Sequence, residues 1–319
     1  MSEAKQLIVS HAPFVHDGSS IANRSGHVLL ALTPAALAGM FRWGVPALGV
    51  IALAVSSAML WELAFNKVAR RSEGISDGNA AAIGLVLGLL LPATSPWWLV
   101  IVGTFLAVVI GKQIFGGIGA NPFNPVAVSM AILAVSWKQF LDFDAMLLAY
   151  DPGFTMLEPL TAVKAFGNEV ATRFSVFDLL MGRQTGAIGA PFGLWLIVGG
   201  VYLVMSGVVR WEIPTAFLVA VIVTAAAFHL ADPLRYAGPA FHLFTGYTLI
   251  GAFFLATEDS SSPVNFWPML IYGAAGGLMT ILIRNIGAYP DGVIYAVLVI
   301  NMINPLVDKI RPKALGKVT

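Results

Sequence analysis

Three carboxylates stand where burial in apolar surroundings would make them costly. Glu62 lies inside MLWELAF (59–65), Glu258 closes GAFFLATE (251–258) beside Asp259, and Asp291 sits in AYPDGV (288–293). An ionisable group within an apolar span needs protonation, a partner or water, so such groups mark cation and proton routes. One reading makes Glu62, Glu258 and Asp291 a path for a proton or a monovalent cation. The other makes them interfacial caps and partners of snorkelling cations, with Lys112 and Arg284 at the ends of neighbouring segments. A second group of candidates lies in GKQIFGGIGANPFNPVAVSM (111–130), which interrupts a very apolar chain with glycines, prolines and two asparagines. Its backbone breaks fall at Gly116, Gly117, Gly119, Pro122 and Pro125. The amides of Asn121 and Asn124 suit two tasks, capping the helix that starts at Pro125 or touching the polar edge of a cofactor.

Other chemistries are excluded or unsupported. The chain has no cysteine, which rules out disulfides, thiolate-ligated iron–sulfur clusters and cysteine nucleophiles. His27, His229 and His242 have no mutual spacing of three or four, so no metal site is expected. There is no phosphate-binding Walker loop, no Ser–His–Asp set and no dinucleotide fingerprint. A net charge of +1 gives no reason to expect nucleic acid as a partner.

The elements that must carry these residues are membrane helices. Of the 319 residues 58% are hydrophobic and 11% charged, a composition that reads as an all-α integral membrane protein. Ten apolar spans are predicted, at 27–43, 45–65, 79–92, 95–115, 124–141, 190–209, 213–231, 239–257, 264–284 and 291–308. The division that follows is an N-terminal segment 1–26, a first five-helix repeat 27–141, a loop region 142–189, a second five-helix repeat 190–308 and a tail 309–319. Residues 1–24 lack the pattern of a cleaved signal peptide, so the first span is expected to be retained. Of the 18 Lys and Arg, eleven fall on the side of the termini and seven on the other; four of those seven lie in or beside the long loop, where charge counts for less. Both termini are therefore expected to be cytoplasmic and the loop region extracytoplasmic.

The two halves look like copies of one unit, with chance similarity between glycine- and proline-rich loops as the alternative reading. IGANPFNPVAV (118–128) matches IGAYPDGVIYAV (286–297) at an offset of 168, and DGNAAAIGLVLGLLLPAT (77–94) matches FTGYTLIGAFFLATE (244–258) at nearly the same offset. Five helices per copy is an odd number, which makes the repeats inverted. Inverted repeats commonly place a functional site where broken helices meet near the symmetry axis.

Four segments together, HAPFVHDGSS (11–20), GKQIFGGIGANPFNPVAVSM, GAFFLATE and IGAYPDGVIYAVLVINMINPLVD (286–308), resemble the NqrB/RnfD family, on its RnfD branch. The resemblance runs in order along nearly the whole chain. It implies one subunit of a redox pump in the bacterial inner membrane, coupling electron flow between ferredoxin and NAD to Na+ or H+ transport. Partners of the RnfA, RnfB, RnfC, RnfE and RnfG types are implied, and NAD would bind another of them. FMN is the implied cofactor, with riboflavin a further possibility. The implied flavin region gathers Lys112, Asn121, Pro122, Asn124, Thr155 and Glu158. Members carry FMN as a phosphoester on a threonine in a pattern like S-x-A-T-P-L, whereas this chain reads DPGFTMLEPLTAVK (151–164), with Glu158 at the acceptor position. A carboxylate cannot form that ester and repels a phosphate. Three readings remain: FMN held without a covalent bond, no flavin at this place, or attachment to the neighbouring Thr155 or Thr161. GRQTGAIGAP (182–191), with its Thr185, resembles an acceptor pattern only superficially and is read as an ordinary re-entry loop. Two readings outside the redox class compete, a secondary transporter or channel and a structural membrane anchor.

Overall fold

The computed structural model describes residues 20–71, 75–141, 143 and 158–310, and every regular element among them is helical. The first half contains α1 (Ile21–Trp43), α2 (Val45–Val68), α3 (Asn79–Leu90), α4 (Trp97–Phe105), which runs on into a π turn at Leu106–Ile110, and α5 (Pro125–Ser136). Three short helices follow, α6 (Pro159–Phe166), α7 (Asn168–Ala171) and α8 (Val176–Leu180). The second half contains α9 (Gly193–Met205), α10 (Glu212–Ala231), α11 (Pro239–Phe244), α12 (Thr248–Ile250) with a π turn at Gly251–Leu255, α13 (Phe266–Asn285) and α14 (Val293–Val307). Helical segments thus occupy all ten expected places. Four are long and apolar enough to cross a membrane by length and composition alone, at Val45–Val68, Trp97–Phe115, Glu212–Ala231 and Phe266–Asn285.

Two details differ from the sequence reading. Helix α1 starts at Ile21 and not at 27, because the Ser20 hydroxyl accepts the Asn23 N–H at 3.1 Å and caps the first turn. The expected span 239–257 is two pieces, broken at Thr245–Gly246–Tyr247. Gly246 has φ +62°, and a Cβ there would run into the Asp291 carboxylate, so both conformation and space demand glycine.

The halves pack in matching ways. Helix α2 lies on α4 as α10 lies on α13, while the first helices of the halves, α1 and α9, and the last, α5 and α14, pack across the repeat boundary. Small residues permit these approaches: a Cβ on Gly199 would collide with the Ala31 carbonyl, and one on Gly277 with the Phe217 carbonyl. At the centre sit the two short segments, α3 and the α12–π unit. Helix α3 is apolar all round and buried from Ala82 to Leu90, which marks it as an interior helix. Its twelve residues span only about 18 Å, short of the ~30 Å hydrocarbon core, so its last carbonyls end inside the protein and need partners. They find them in the 182–191 segment and at Tyr247 of the second half. Leu90 O accepts the Tyr247 hydroxyl at 2.9 Å, Leu91 O accepts Ile188 N–H at 3.0 Å, and Leu89 O accepts Gly189 N–H at 2.9 Å. In the other half Leu255 O, at the end of the π turn, accepts the Asn124 side-chain amide at 3.0 Å.

Candidate functional site

One end of the bundle gathers the start of α1, the end of α2, the start of α3, the end of α4 and the start of α5. The end of α9, the end of the α12–π unit and the start of α13 join them there. Arg24 stitches this end together, donating to Asp259 at 2.6 Å and to the Val208 carbonyl at 3.0 Å. A cavity of about 240 Å³ opens here, walled by Val86, Phe253 and Phe254 and edged by Arg24, Asn79, Lys112, Asn121, Asn124 and Glu258. Both π turns run toward it. An extra residue per turn shifts the following side chains around the helix, which is how α4 delivers Lys112 inward.

Lys112 is the most deeply buried cation in this region. Only 1% exposed, its ammonium donates to Glu62 Oε1 at 2.6 Å and to Asn79 Oδ1 at 2.7 Å. Gln113 donates to the same Glu62 oxygen at 2.8 Å, while Oε2 of Glu62 is buried without a hydrogen-bond partner. An ion pair this deep is held by its geometry, and removing one partner strands a charge at a cost of about 3–5 kcal/mol. Glu258 is bound from the other repeat. Asn121 donates to its two oxygens at 3.2 and 3.3 Å, and the Ser261 N–H donates to Oε2 at 2.9 Å. Gly119 N–H donates to Ser260 Oγ at 3.1 Å, so the glycine-rich loop is clasped onto residues 258–261. Gly116, Gly117 and Gly119, with φ of +131°, +100° and +87°, give that loop its path.

Of the two asparagines, Asn124 takes the capping task. Asn124 caps α5, its Oδ1 accepting Ala127 N–H at 2.9 Å, while its backbone N–H donates to Asn301 Oδ1 at 2.9 Å. With Nδ2 on Leu255 O, its side chain is committed to protein partners. Asn121 faces Glu258 and the Phe123 carbonyl, and Pro122 is exposed at the turn.

The remaining candidates lie at the opposite end. Asp291 accepts from Arg284 at 3.1 Å, from Val293 N–H at 3.0 Å and from Tyr247 N–H at 2.6 Å, so it caps α14 and fixes the break before α12 at once. Arg284 also donates to the carbonyls of His242 at 2.9 Å and Thr245 at 3.2 Å. Glu158 precedes α6 and accepts the Thr161 hydroxyl at 2.6 Å. Both carboxylates edge a cavity of about 600 Å³ with Lys138, Phe143, Tyr247, Tyr289 and Tyr295. The rings of Tyr289 and Tyr295 lie 4.4 Å apart. Lys164 of α6 donates to the carbonyls of Gly287 and Tyr289, both at 2.6 Å, and burial lowers its pKa from the ordinary lysine value of 10.5. Thr155 lies outside the described residues. Among the described residues no three His, Asp or Glu side chains converge as a metal site.

Glu62, Lys112, Asn121, Asn124 and Glu258 therefore belong to one end, and Glu158 and Asp291 to the other. Sequence reasoning missed Asn79, Gln113, Tyr247 and Asn301 as polar partners. The segment 182–191, expected as an ordinary re-entry loop, is buried from 184 onward and bonds the end of α3. A signal existed in GAIGAP, whose small residues allow close approach, but the partner helix lies about a hundred positions away.

An all-helical membrane protein, with short central helices ending inside the protein and buried ion pairs beside them, is the class this architecture defines. The chain belongs to the NQR2, RnfD, RnfE family, whose profile it matches over residues 8–316. It is 34% identical over 315 residues to the D-type component of the Na+-translocating ferredoxin:NAD+ oxidoreductase complex of Acetobacterium woodii, covering 98% of this chain and 96% of that one. It is 34% identical over 311 residues to the D-type component of the proton-translocating ferredoxin:NAD+ oxidoreductase complex of Clostridium ljungdahlii, covering 94% and 93%. The D-type component of the ion-translocating oxidoreductase complex of Halorhodospira halophila is 33% identical over 321 residues, covering 91% and 90%.

Proposed function

We propose that this chain is the D-type membrane component of an ion-translocating ferredoxin:NAD oxidoreductase complex of the bacterial inner membrane, acting with the other Rnf-type proteins and not catalytic alone. The observation that carries this is the similarity along 98% of the chain to the D-type component of such a complex. Its own contribution to the ion path is the cavity between the repeats. Lys112 holds Glu62 and Asn79, and Glu258 is held by Asn121 and Ser261, so the cavity edge carries charged groups whose pairing changes when a cation or proton arrives. The buried, unpartnered Oε2 of Glu62 is a ready acceptor for either. In this reading both termini are cytoplasmic.

The tyrosine-lined cavity at the opposite end suits the planar ring of a flavin, since Phe143, Tyr247, Tyr289 and Tyr295 offer aromatic surface. It does not suit a phosphoester at position 158. Glu158 has no hydroxyl, its carboxylate accepts the Thr161 hydroxyl, and Asp291 adds a second negative group on the same cavity. FMN is therefore proposed to be held without a covalent bond here, supplying an electron carrier when bound. The protein's part is to stack and to exclude water; Lys164 fixes the 287–289 backbone that presents Tyr289.

The test is a deletion of the gene for this chain, with membrane vesicles assayed for NAD reduction by reduced ferredoxin and for accompanying Na+ or H+ movement. Both should vanish and return with the wild-type gene. Coupled ion movement that persists in the deletion strain sinks the assignment.

A further inference from the structure

A separate pocket of about 350 Å³ lies behind the 286–290 loop, with Lys164, Arg235, His242, Arg284 and Asn285 in its lining. It is distinct from the tyrosine-lined cavity in charge. Three cationic side chains line it, and no carboxylate does among the described residues; Asp291 engages Arg284 from outside the lining. Its polar groups are incompletely used. His242, 2% exposed, has neither ring nitrogen in a hydrogen bond. Asn285 Nδ2 is buried without an acceptor. Arg284 Nη1 makes a single bond, to the His242 carbonyl, leaving one N–H. Arg235 is exposed at the mouth, its guanidinium resting on the Tyr236 ring at 5.2 Å.

We infer that this pocket binds a phosphate-bearing anion. Buried polar atoms are almost always satisfied, so an imidazole and an amide left open beside cations call for an acceptor-rich guest. A guanidinium, an imidazole and an amide in one lining offer more donors than the two oxygens of a carboxylate can use and match the several oxygens of a phosphate, and each bond to a charged partner is strengthened by that charge. The site is built, because Lys164 is locked onto the Gly287 and Tyr289 carbonyls and Arg284 onto those of His242 and Thr245. It lies at the bundle end that carries the end of α13 and the start of α11, where a lipid headgroup and a soluble phosphate both have access.

The experiment uses the assembled complex and has two arms. In the first, inorganic phosphate is titrated against chloride at equal ionic strength and thermal stability is followed. In the second, the complex is reconstituted into phosphatidylcholine vesicles with and without phosphatidylglycerol, and native mass spectrometry counts the anionic lipid it retains. Stabilisation by phosphate identifies a soluble guest, and retained phosphatidylglycerol identifies a headgroup. In whichever arm responds, Arg235→Gln, an exposed change that leaves the fold untouched, should weaken binding about tenfold, and His242→Asn should weaken it as well. No binding in either arm, or binding insensitive to both substitutions, overturns the inference.

Discussion

Lys112 and Arg284 perform the same structural task at opposite ends of the molecule. Lys112 follows α4 and its π turn and Arg284 stands in the last turn of α13; each is almost fully buried, and each ties a carboxylate to a short central segment: Lys112 joins Glu62 to Asn79 at the start of α3, and Arg284 joins Asp291 to the carbonyls before α12. Lys112 stands six residues before its IGA motif and Arg284 two before its own. Continuation of α4 through a π turn, where α13 stays α-helical, accompanies that difference.

The Lys112–Glu62 pair separates structure from transport. Glu62→Gln leaves the ammonium buried beside a neutral amide, and the complex should lose about 3–5 kcal/mol of local stability. Lys112→Met combined with Glu62→Leu removes both charges and should restore assembly, measured by co-purification with the partner proteins. Ion-coupled turnover should stay low in the double variant. Full coupling there would reduce the pair to a structural clamp.

Glu258 is held by Asn121 and Ser261 and stands on the cavity edge, so Glu258→Gln tests charge at nearly constant shape. Its amide retains an acceptor for Asn121 or Ser261, and the loss of stability should stay near ~1 kcal/mol. Coupled ion movement should fall at least about tenfold, a barrier change of about 1.4 kcal/mol. Wild-type coupling in vesicles would remove Glu258 from the ion path.

At the opposite end, Gly246→Ala places a Cβ against the Asp291 carboxylate in a left-handed backbone conformation. Strain and overpacking together should cost about 2–4 kcal/mol, read as a lowered melting temperature of the purified complex. Asp291→Asn, whose single amide oxygen can accept from Val293 or from Tyr247 but not from both, should cost less than Asp291→Ala. Equal melting temperatures for all three would show that the break does not depend on this contact.

Apolar segments and glycine–proline interruptions are local signals, so the ten helical places and the path of residues 116–125 are legible in the sequence. The break at Thr245–Tyr247 is not, because FTGYTLIGAFF is apolar enough to continue a helix, and the Asp291 side chain that holds it open lies 44 positions on. The π turns leave no trace in periodicity. Lys112 has the look of a cofactor residue in sequence because its partner Glu62 is 50 positions away, and no spacing rule links a fourth helix to a second. For Asn124 the sequence allows capping and cofactor contact alike; its three protein bonds make it a cap that also crosses the repeats.

Topology is open to direct labelling, since the chain has no native cysteine. Single cysteines at Lys67 and Glu169, both exposed and at opposite ends of the bundle, should react with an impermeant maleimide from opposite sides. In intact cells with a permeabilised outer layer, Glu169→Cys should label and Lys67→Cys should not. The reverse pattern would invert the orientation and place the tyrosine-lined cavity on the cytoplasmic side.

In the proposed reading, Glu158 sets how a flavin would be held. The Thr161 hydroxyl, the nearest candidate for esterification among the described residues, is already donated to Glu158 Oε2, and a phosphate on it would face the carboxylates of Glu158 and Asp291. At an effective dielectric typical of partly buried sites, two like charges about 4 Å apart repel by roughly 4 kcal/mol, enough to oppose the ester. The denatured wild-type chain should therefore show no covalent flavin fluorescence on a gel, even when the native complex is yellow. Glu158→Thr restores the hydroxyl and removes one of the two charges; in a host with a flavin transferase that variant should gain a fluorescent band if the enzyme accepts Leu157 before the acceptor. The decisive measurement is on the wild type. Peptide mass spectrometry finding FMN esterified to Thr155 or Thr161 would show that a neighbouring hydroxyl replaces the missing one, and the non-covalent assignment would fall.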